Sequence, residues 1–221
     1  MPRHHGFAVV LVLVLVSAAL QVAAPDADWS QLATIVLGAA ILSASVWAAR
    51  AEHLLVRAAV IATIAAALIS VVVVLVRGDV PKAAAALVSG ILIAFAPAVI
   101  AKGLVRDVNA QGRVTLRTLS GVLAIYLLIG MLFSFLHGAV AGFENGLYFA
   151  GDPAATRSDF LYFSYVTLST VGYGDLVPVS DVGRMLAITE SLIGQIYLVT
   201  VVALIVANLR PRAASDGPAI S

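Results

Sequence analysis

The sequence predicts an all-α transmembrane protein: a four-helix N-terminal membrane bundle followed by a two-helix unit that holds a short re-entrant helix and loop. Three observations predict it. Of 221 residues, 62% are hydrophobic and only 11% charged, and the mean hydropathy is +1.05. A soluble domain carries about a quarter charged residues, so the apolar excess here must face lipid or other helices. Six apolar runs of about 20 residues are each long enough to cross a bilayer. Between the fifth and sixth lie a short amphipathic stretch and a Gly-rich run, neither of which can span.

The first four runs cover about 7–24, 31–49, 56–76 and 83–101. Their connections are short and polar: Pro25-Asp26-Ala27-Asp28, Arg50-Ala51-Glu52-His53 and Arg77-Gly78-Asp79-Val80-Pro81. Short breaks place consecutive helices antiparallel in one bundle. The first run is open to two readings. Arg3, a Val/Leu-rich stretch and then Ser17, Ala18 and Ala19 suit a signal peptide, but about 18 apolar residues exceed the usual length, which favours a retained helix. Residues 102–115 form the longest break in this half and carry Lys102, Arg106, Arg113 and Gly112. They read as a cytoplasmic interfacial linker between residues 1–101 and the second unit, with Arg106, Arg113 and Arg117 facing lipid headgroups. The second unit, 116–208, has an outer helix at 116–138, an exposed turret at 139–157, a short helix at 159–169 and an inner helix at 182–208. Residues 209–221, with Pro211, Gly217 and Pro218, read as a disordered tail.

Charge bias orients the chain. With the N-terminus inside, nine of the 13 basic residues are cytoplasmic (Arg3, Arg50, Arg57, Lys102, Arg106, Arg113, Arg117, Arg210, Arg212) and four are external (Arg77, Lys82, Arg157, Arg184). Both termini are then cytoplasmic, in a multi-pass plasma-membrane protein, with a bacterial inner membrane favoured. The net charge of +1 gives no case for nucleic acid, and the absence of Cys excludes disulfides and thiol chemistry. His4, His5, His53 and His137 lack metal-ligand spacing.

The informative run is Thr170-Val171-Gly172-Tyr173-Gly174-Asp175, preceded by Asp159-Phe160-Leu161-Tyr162-Phe163-Ser164-Tyr165-Val166 and followed by Leu176-Val177-Pro178 and Gly183-Arg184. Together these segments resemble the pore of the prokaryotic potassium-channel family, over roughly residues 114–210. The resemblance implies that 159–169 is a pore helix and that Thr170, Val171, Gly172, Tyr173 and Gly174 are a selectivity filter for K+, the permeant ion, with no cofactor and no enzyme chemistry. In such a filter backbone carbonyls replace the hydration shell of the ion. Successive carbonyls can point inward only if backbone handedness alternates, which Gly172 and Gly174 allow. The Thr170 hydroxyl can add an oxygen at the inner mouth.

Tyr162, Phe163, Thr167 and Asp175 are the expected filter supports, with Tyr162, Phe163 and Tyr165 as a collar that holds Tyr173. Some family members pair the acid at Asp175 with a pore-helix carboxylate; that position here is Val166, which leaves the Tyr162 hydroxyl as the substitute. Glu190 is the one acid deep in a span and admits three readings: a buried contact to Thr167 or Ser164, a cavity-facing cation attractor, or an intersubunit bond. Gly194 reads as a hinge or as a close-packing site, and Gln195 as a cavity residue. One filter copy per chain implies three further copies of the chain around a four-fold axis, in a lipid bilayer. The run 83–101 carries no charge, against voltage sensing. No soluble ligand domain is expected. The rival readings are a non-conducting membrane scaffold and a potassium transporter subunit.

Overall fold

The computed structural model describes residues 6–24, 28–49, 57, 61, 65, 82–111, 115–144, 147–151 and 155–209. Six helices are described: α1 (Gly6–Ala23), α2 (Asp28–Ala48), α3 (Lys82–Gln111), α4 (Leu116–Phe143), α5 (Arg157–Leu168) and α6 (Asp181–Leu209). All but α5 are long and apolar enough to cross a membrane. Apart from residues 57, 61 and 65, the expected span at 56–76 lies outside the described residues, as does the expected tail beyond Leu209.

α1 shows how the bundle is specified. Phe7, Val10, Val14, Ser17 and Gln21 are its buried residues after Gly6, spaced three and four apart, so they form one stripe. That stripe packs on α2 and α4, α2 packs on α3, and α3 on α4. One hydrophobic core therefore contains Phe7 and Val14 of α1, Ile41 and Leu42 of α2, Leu92 and Ile93 of α3, and Leu128 and Met131 of α4. Here the structure departs from the sequence expectation. The outer helix α4 shares its core with the preceding helices, so the break at 102–115 is no boundary in packing.

The linker itself also differs. α3 runs unbroken to Gln111, about 45 Å at 1.5 Å per residue, so most of the expected linker is the last turns of a spanning helix. Leu104 explains the continuation. It is buried against Gly121 of α4, where an added Cβ would lie 2.7 Å from the Leu104 side chain. Gly103 approaches Ala49 as closely, with a Cβ placed 2.8 Å from its backbone. Small residues thus let three helices converge at this end.

Arg117 is not a headgroup-facing residue either. Its Nη2 donates to the Ala48 carbonyl at 2.8 Å, its Nε lies 3.2 Å from Asp107 Oδ2, and its guanidinium sits 5.0 Å from the Phe7 ring centre. One cation thereby joins α1, α2, α3 and α4. At the other end of the bundle Arg157 Nη2 donates to the Ala24 carbonyl at 3.3 Å and to the Ser30 hydroxyl, tying the start of α5 to the end of α1 and the first turn of α2. The front helices are clamped to the second unit at both ends.

The described turret residues pack against the rest of the second unit. α4 takes the turret's first residues, to Phe143, and Tyr148 and Phe149 are buried against Phe160 and Phe163. Ala150 N–H donates to the Val177 carbonyl at 2.9 Å and Val179 N–H to the Tyr148 carbonyl at 3.0 Å, pairing the turret with the chain after the Gly-rich run.

Replacing Arg117 with Ala is expected to cost about 1.5–3 kcal/mol, the worth of a hydrogen bond to a charged group. Lys at this position recovers only part of that, because it lacks the planar fork. Thermal unfolding of the detergent-solubilised protein measures it, and an unchanged midpoint for Arg117→Ala would exclude the clamp.

Candidate functional site

The short helix α5 is specified locally. Thr156 is its N-cap and Asp159 its N3 residue, and each side chain bonds the other's backbone N–H in a reciprocal capping box. It ends at Ser169, whose hydroxyl donates back to the Tyr165 carbonyl at 2.6 Å. The chain then turns sharply through Thr170, which has φ 58°. A β-branched residue rarely adopts that conformation, at a cost of about 1–3 kcal/mol. The turn is held by main-chain bonds. Thr170 N–H donates to the Thr167 carbonyl at 2.9 Å, while Val171 and Gly172 N–H share the Val166 carbonyl at 3.0 and 3.3 Å.

Thr170, Gly172 and Gly174 have φ of 58°, 56° and 79°, while Val171 and Tyr173 stay at negative φ. Handedness therefore alternates along all five residues, the condition under which successive carbonyls can line one side of the strand. The sequence assigned positive φ to the two glycines but not to Thr170. All five residues are exposed on the single chain.

Tyr162 supports the outer end of this strand. Its hydroxyl donates to Asp175 Oδ2 at 2.8 Å, and its ring stacks on Tyr173 with centroids 6.4 Å apart and planes 4° from parallel. Phe163 does not join it. One residue on, and so about 100° around the helix, it turns to the turret and α4, with edge contacts to His137 at 4.9 Å and Phe149 at 5.1 Å. Tyr165 also faces α4: its hydroxyl donates to the Leu127 carbonyl at 2.8 Å, and its ring fills the space beside Gly130. Within one chain the expected three-residue collar around Tyr173 reduces to Tyr162. Thr167 contributes its carbonyl, which accepts from Ser191 Oγ at 3.2 Å as well as from Thr170.

Glu190 is fully buried inside its own chain, so it faces neither an axial cavity nor a neighbouring subunit. Its Oε1 accepts from Ser164 Oγ, and its Oε2 lies 3.1 Å from His137 Nε2. His137, also fully buried, bonds the Tyr148 hydroxyl through Nδ1. Burial, with smaller contributions from Glu144 and Glu190, raises the Tyr148 hydroxyl above its ordinary range, so it remains a donor. With neutral His137 each atom then has a partner: Tyr148 O–H donates to Nδ1, and Nε2–H donates to Glu190. The sequence reading missed His137. The available signal was that His137 and Glu190 are isolated polar groups in adjacent apolar runs, and buried polar groups need partners.

Gly194 packs on the end of α5. A Cβ there would lie 2.2 Å from the Leu168 carbonyl oxygen, which is backbone and cannot yield. Close approach thus accounts for the glycine. Gln195 beside it is exposed. Among the described residues no group of three His, Cys, Asp or Glu could hold a metal ion.

The family model described as "Ion channel" matches residues 121–210. Similar curated proteins include the potassium voltage-gated channel protein shk-1 of Caenorhabditis elegans, 38% identical over 36% of this chain and 16% of its own length. Two pore potassium channel b of Oryza sativa subsp. japonica is 38% identical over 34% of this chain and 20% of its own. Protein LctB of Geobacillus stearothermophilus is 45% identical over 24% of this chain and 39% of its own. The match thus spans well under half the length of each of these relatives. No solved structure matches the chain.

Gly194→Ala is expected to lower stability by about 1–3 kcal/mol through overpacking against Leu168, and to lower the thermal midpoint accordingly. A wild-type midpoint would show that α5 and α6 separate freely at this point.

Proposed function

We propose, from the premise that residues 121–210 are a pore domain of the potassium-channel family, that this chain is one subunit of a homotetrameric channel that passes K+ selectively and passively across the plasma membrane. The observation that carries the reading is the alternating handedness from Thr170 to Gly174. A row of carbonyls on one side of a strand is an oxygen surface suited to a dehydrated monovalent cation.

The single chain leaves that surface open. Main chain at membrane depth must be covered by protein or water, and one strand cannot ring an ion. The inner helix α6 supports completion by further copies. Only 11% of its apolar stretch is buried, against 56% for α4, and its exposed residues include Thr189, Gln195 and Thr200 as well as apolar ones. Exposed polar groups on this helix suit a water-filled axis better than lipid. Four chains would place four filters and four α5 C-termini around one axis, where the partial negative charge of the helix ends favours a cation in transit. Ions then move between adjacent sites by mutual displacement.

The excess of basic residues on one set of connections supports cytoplasmic termini, with Asp175 outward. Because the run 83–101 is uncharged, conduction is expected to lack steep voltage dependence.

Planar-bilayer recording of the purified protein under a potassium/sodium gradient tests this. The reversal potential is expected to follow the potassium gradient, and Gly172→Ala is expected to abolish the current, since it puts a Cβ at a position with φ 56°. A reversal potential blind to potassium, or undiminished current in Gly172→Ala, would refute the reading. Tyr162→Phe, which takes the hydroxyl from Asp175, is expected to speed the decay of current without loss of assembly.

A further inference from the structure

Both ends of the Thr170–Gly174 strand lead into one buried hydrogen-bonded circuit, and Glu190 is its junction. At one end Val171 and Gly172 hang from the Val166 carbonyl of α5. Two residues earlier on that helix, Ser164 Oγ bonds Glu190 Oε1 and also lies 2.5 Å from the Gly130 carbonyl of α4. At the other end Val177 and Val179 pair with Ala150 and Tyr148 of the turret. The Tyr148 hydroxyl bonds His137 Nδ1, and His137 Nε2 reaches Glu190 Oε2 at 3.1 Å. The circuit therefore runs from the base of the strand, around α5, to the segment just beyond its outer end. It crosses α6 at a single side chain.

Stability alone does not ask for a carboxyl group there. Replacing a whole buried polar cluster with apolar residues is often neutral or stabilising, although removing Glu190 alone strands the buried His137 Nε2–H. What Glu190 offers over Leu is direction. Its two oxygens bond two different elements, Ser164 of α5 and His137 of α4, and so fix how far apart those elements stand. Nothing at Val166 can do this, since its side chain is apolar and only its carbonyl is engaged.

We infer that Glu190 is a filter-positioning residue: acting through Ser164 on one side and His137–Tyr148 on the other, it sets the separation of the two ends of the Thr170–Gly174 strand. It touches no permeating ion. A displacement of α6 at Glu190 is thereby transmitted to both ends of the strand at once. The inference rests on the reading of Thr170–Gly174 as the conduction path.

The test uses the full-length protein in planar bilayers, with Glu190→Leu, Glu190→Gln, Ser164→Ala, Tyr148→Phe and the pair Ser164→Ala/Tyr148→Phe. Glu190→Leu is expected to lower the thermal midpoint, because it leaves the buried His137 Nε2–H without an acceptor, and to speed current decay roughly tenfold, the scale of coupling within one hydrogen-bond network, with a rise in sodium permeability relative to potassium. Glu190→Gln, which keeps two hydrogen-bonding atoms in place, restores most of the wild-type behaviour. Ser164→Ala and Tyr148→Phe each reproduce the fast decay from opposite ends of the circuit. The pair is no worse than the more severe single variant, because either break opens the same ring.

Wild-type decay and selectivity in Glu190→Leu overturn the inference, as do effects of Ser164→Ala and Tyr148→Phe that simply add. If Glu190→Leu does not assemble, the two hydroxyl deletions decide alone, and wild-type behaviour in both is fatal to it. A wild-type protein without potassium-selective current overturns the underlying reading instead, which separates the two failures.

Discussion

On the proposed reading the Thr170–Gly174 carbonyls must stay free to face an ion and cannot also be satisfied within their own chain, and the contacts around this strand answer that constraint. A helix or a sheet consumes its carbonyls internally. Here the alternation of handedness keeps them free, so rigidity has to come from the N–H side and from the flanks. The Val166 and Thr167 carbonyls hold the first three residues, Tyr162 holds Asp175 and stacks on Tyr173, and the turret pairs with the chain beyond Val177. The strained φ at Thr170 is sustained by this over-determination, as backbone strain generally is.

The same demand explains the density of polar contacts in so apolar a bundle. Main-chain carbonyls of α4 accept from Tyr197 at Val122 and from Tyr165 at Leu127, and the Gly130 carbonyl shares the single Ser164 hydroxyl proton with Glu190 Oε1. These bonds index α5 and α6 against one helix at set heights. Apolar packing alone would allow them to slide, because between lipid-solvated helices burial offers little directional preference. Arg117 and Arg157 do the same for the front helices, each reaching a helix-end carbonyl that has no intrahelical donor. The second unit is thus braced by α1–α3 through α4.

Much of this was legible in the residues. Span positions followed from apolar run length, because a bilayer fixes the length of a crossing helix, and the observed ends fall within a few residues of the expected ones except where α3 and α4 continue. Leu104 and Phe143 extend those helices for a reason no run-length rule contains. At that point Leu104 has a partner, Gly121, on another helix, and the turret residues have Phe160 and Phe163. The Tyr162–Asp175 pair was reachable by elimination, since Val166 cannot serve. Phe163 was misassigned to the collar because aromatic composition says nothing about the 100° rotation that separates it from Tyr162.

By itself the sequence determined the all-helical membrane architecture, the place of the Gly-rich strand between two spans, and the glycines that permit its alternation. These are local or one-dimensional properties: hydropathy, length, and steric access to positive φ. Only the tertiary structure decided that α4 belongs to the core of the front bundle, that Gly194 is small because the Leu168 carbonyl lies against it, and that Glu190, His137, Ser164 and Tyr148 form one circuit. Each of these joins residues from different helices or from the turret, 11 to 53 positions apart within the circuit. A buried polar group announces in the sequence that it needs a partner, but which partner it finds depends on how the helices rotate and cross.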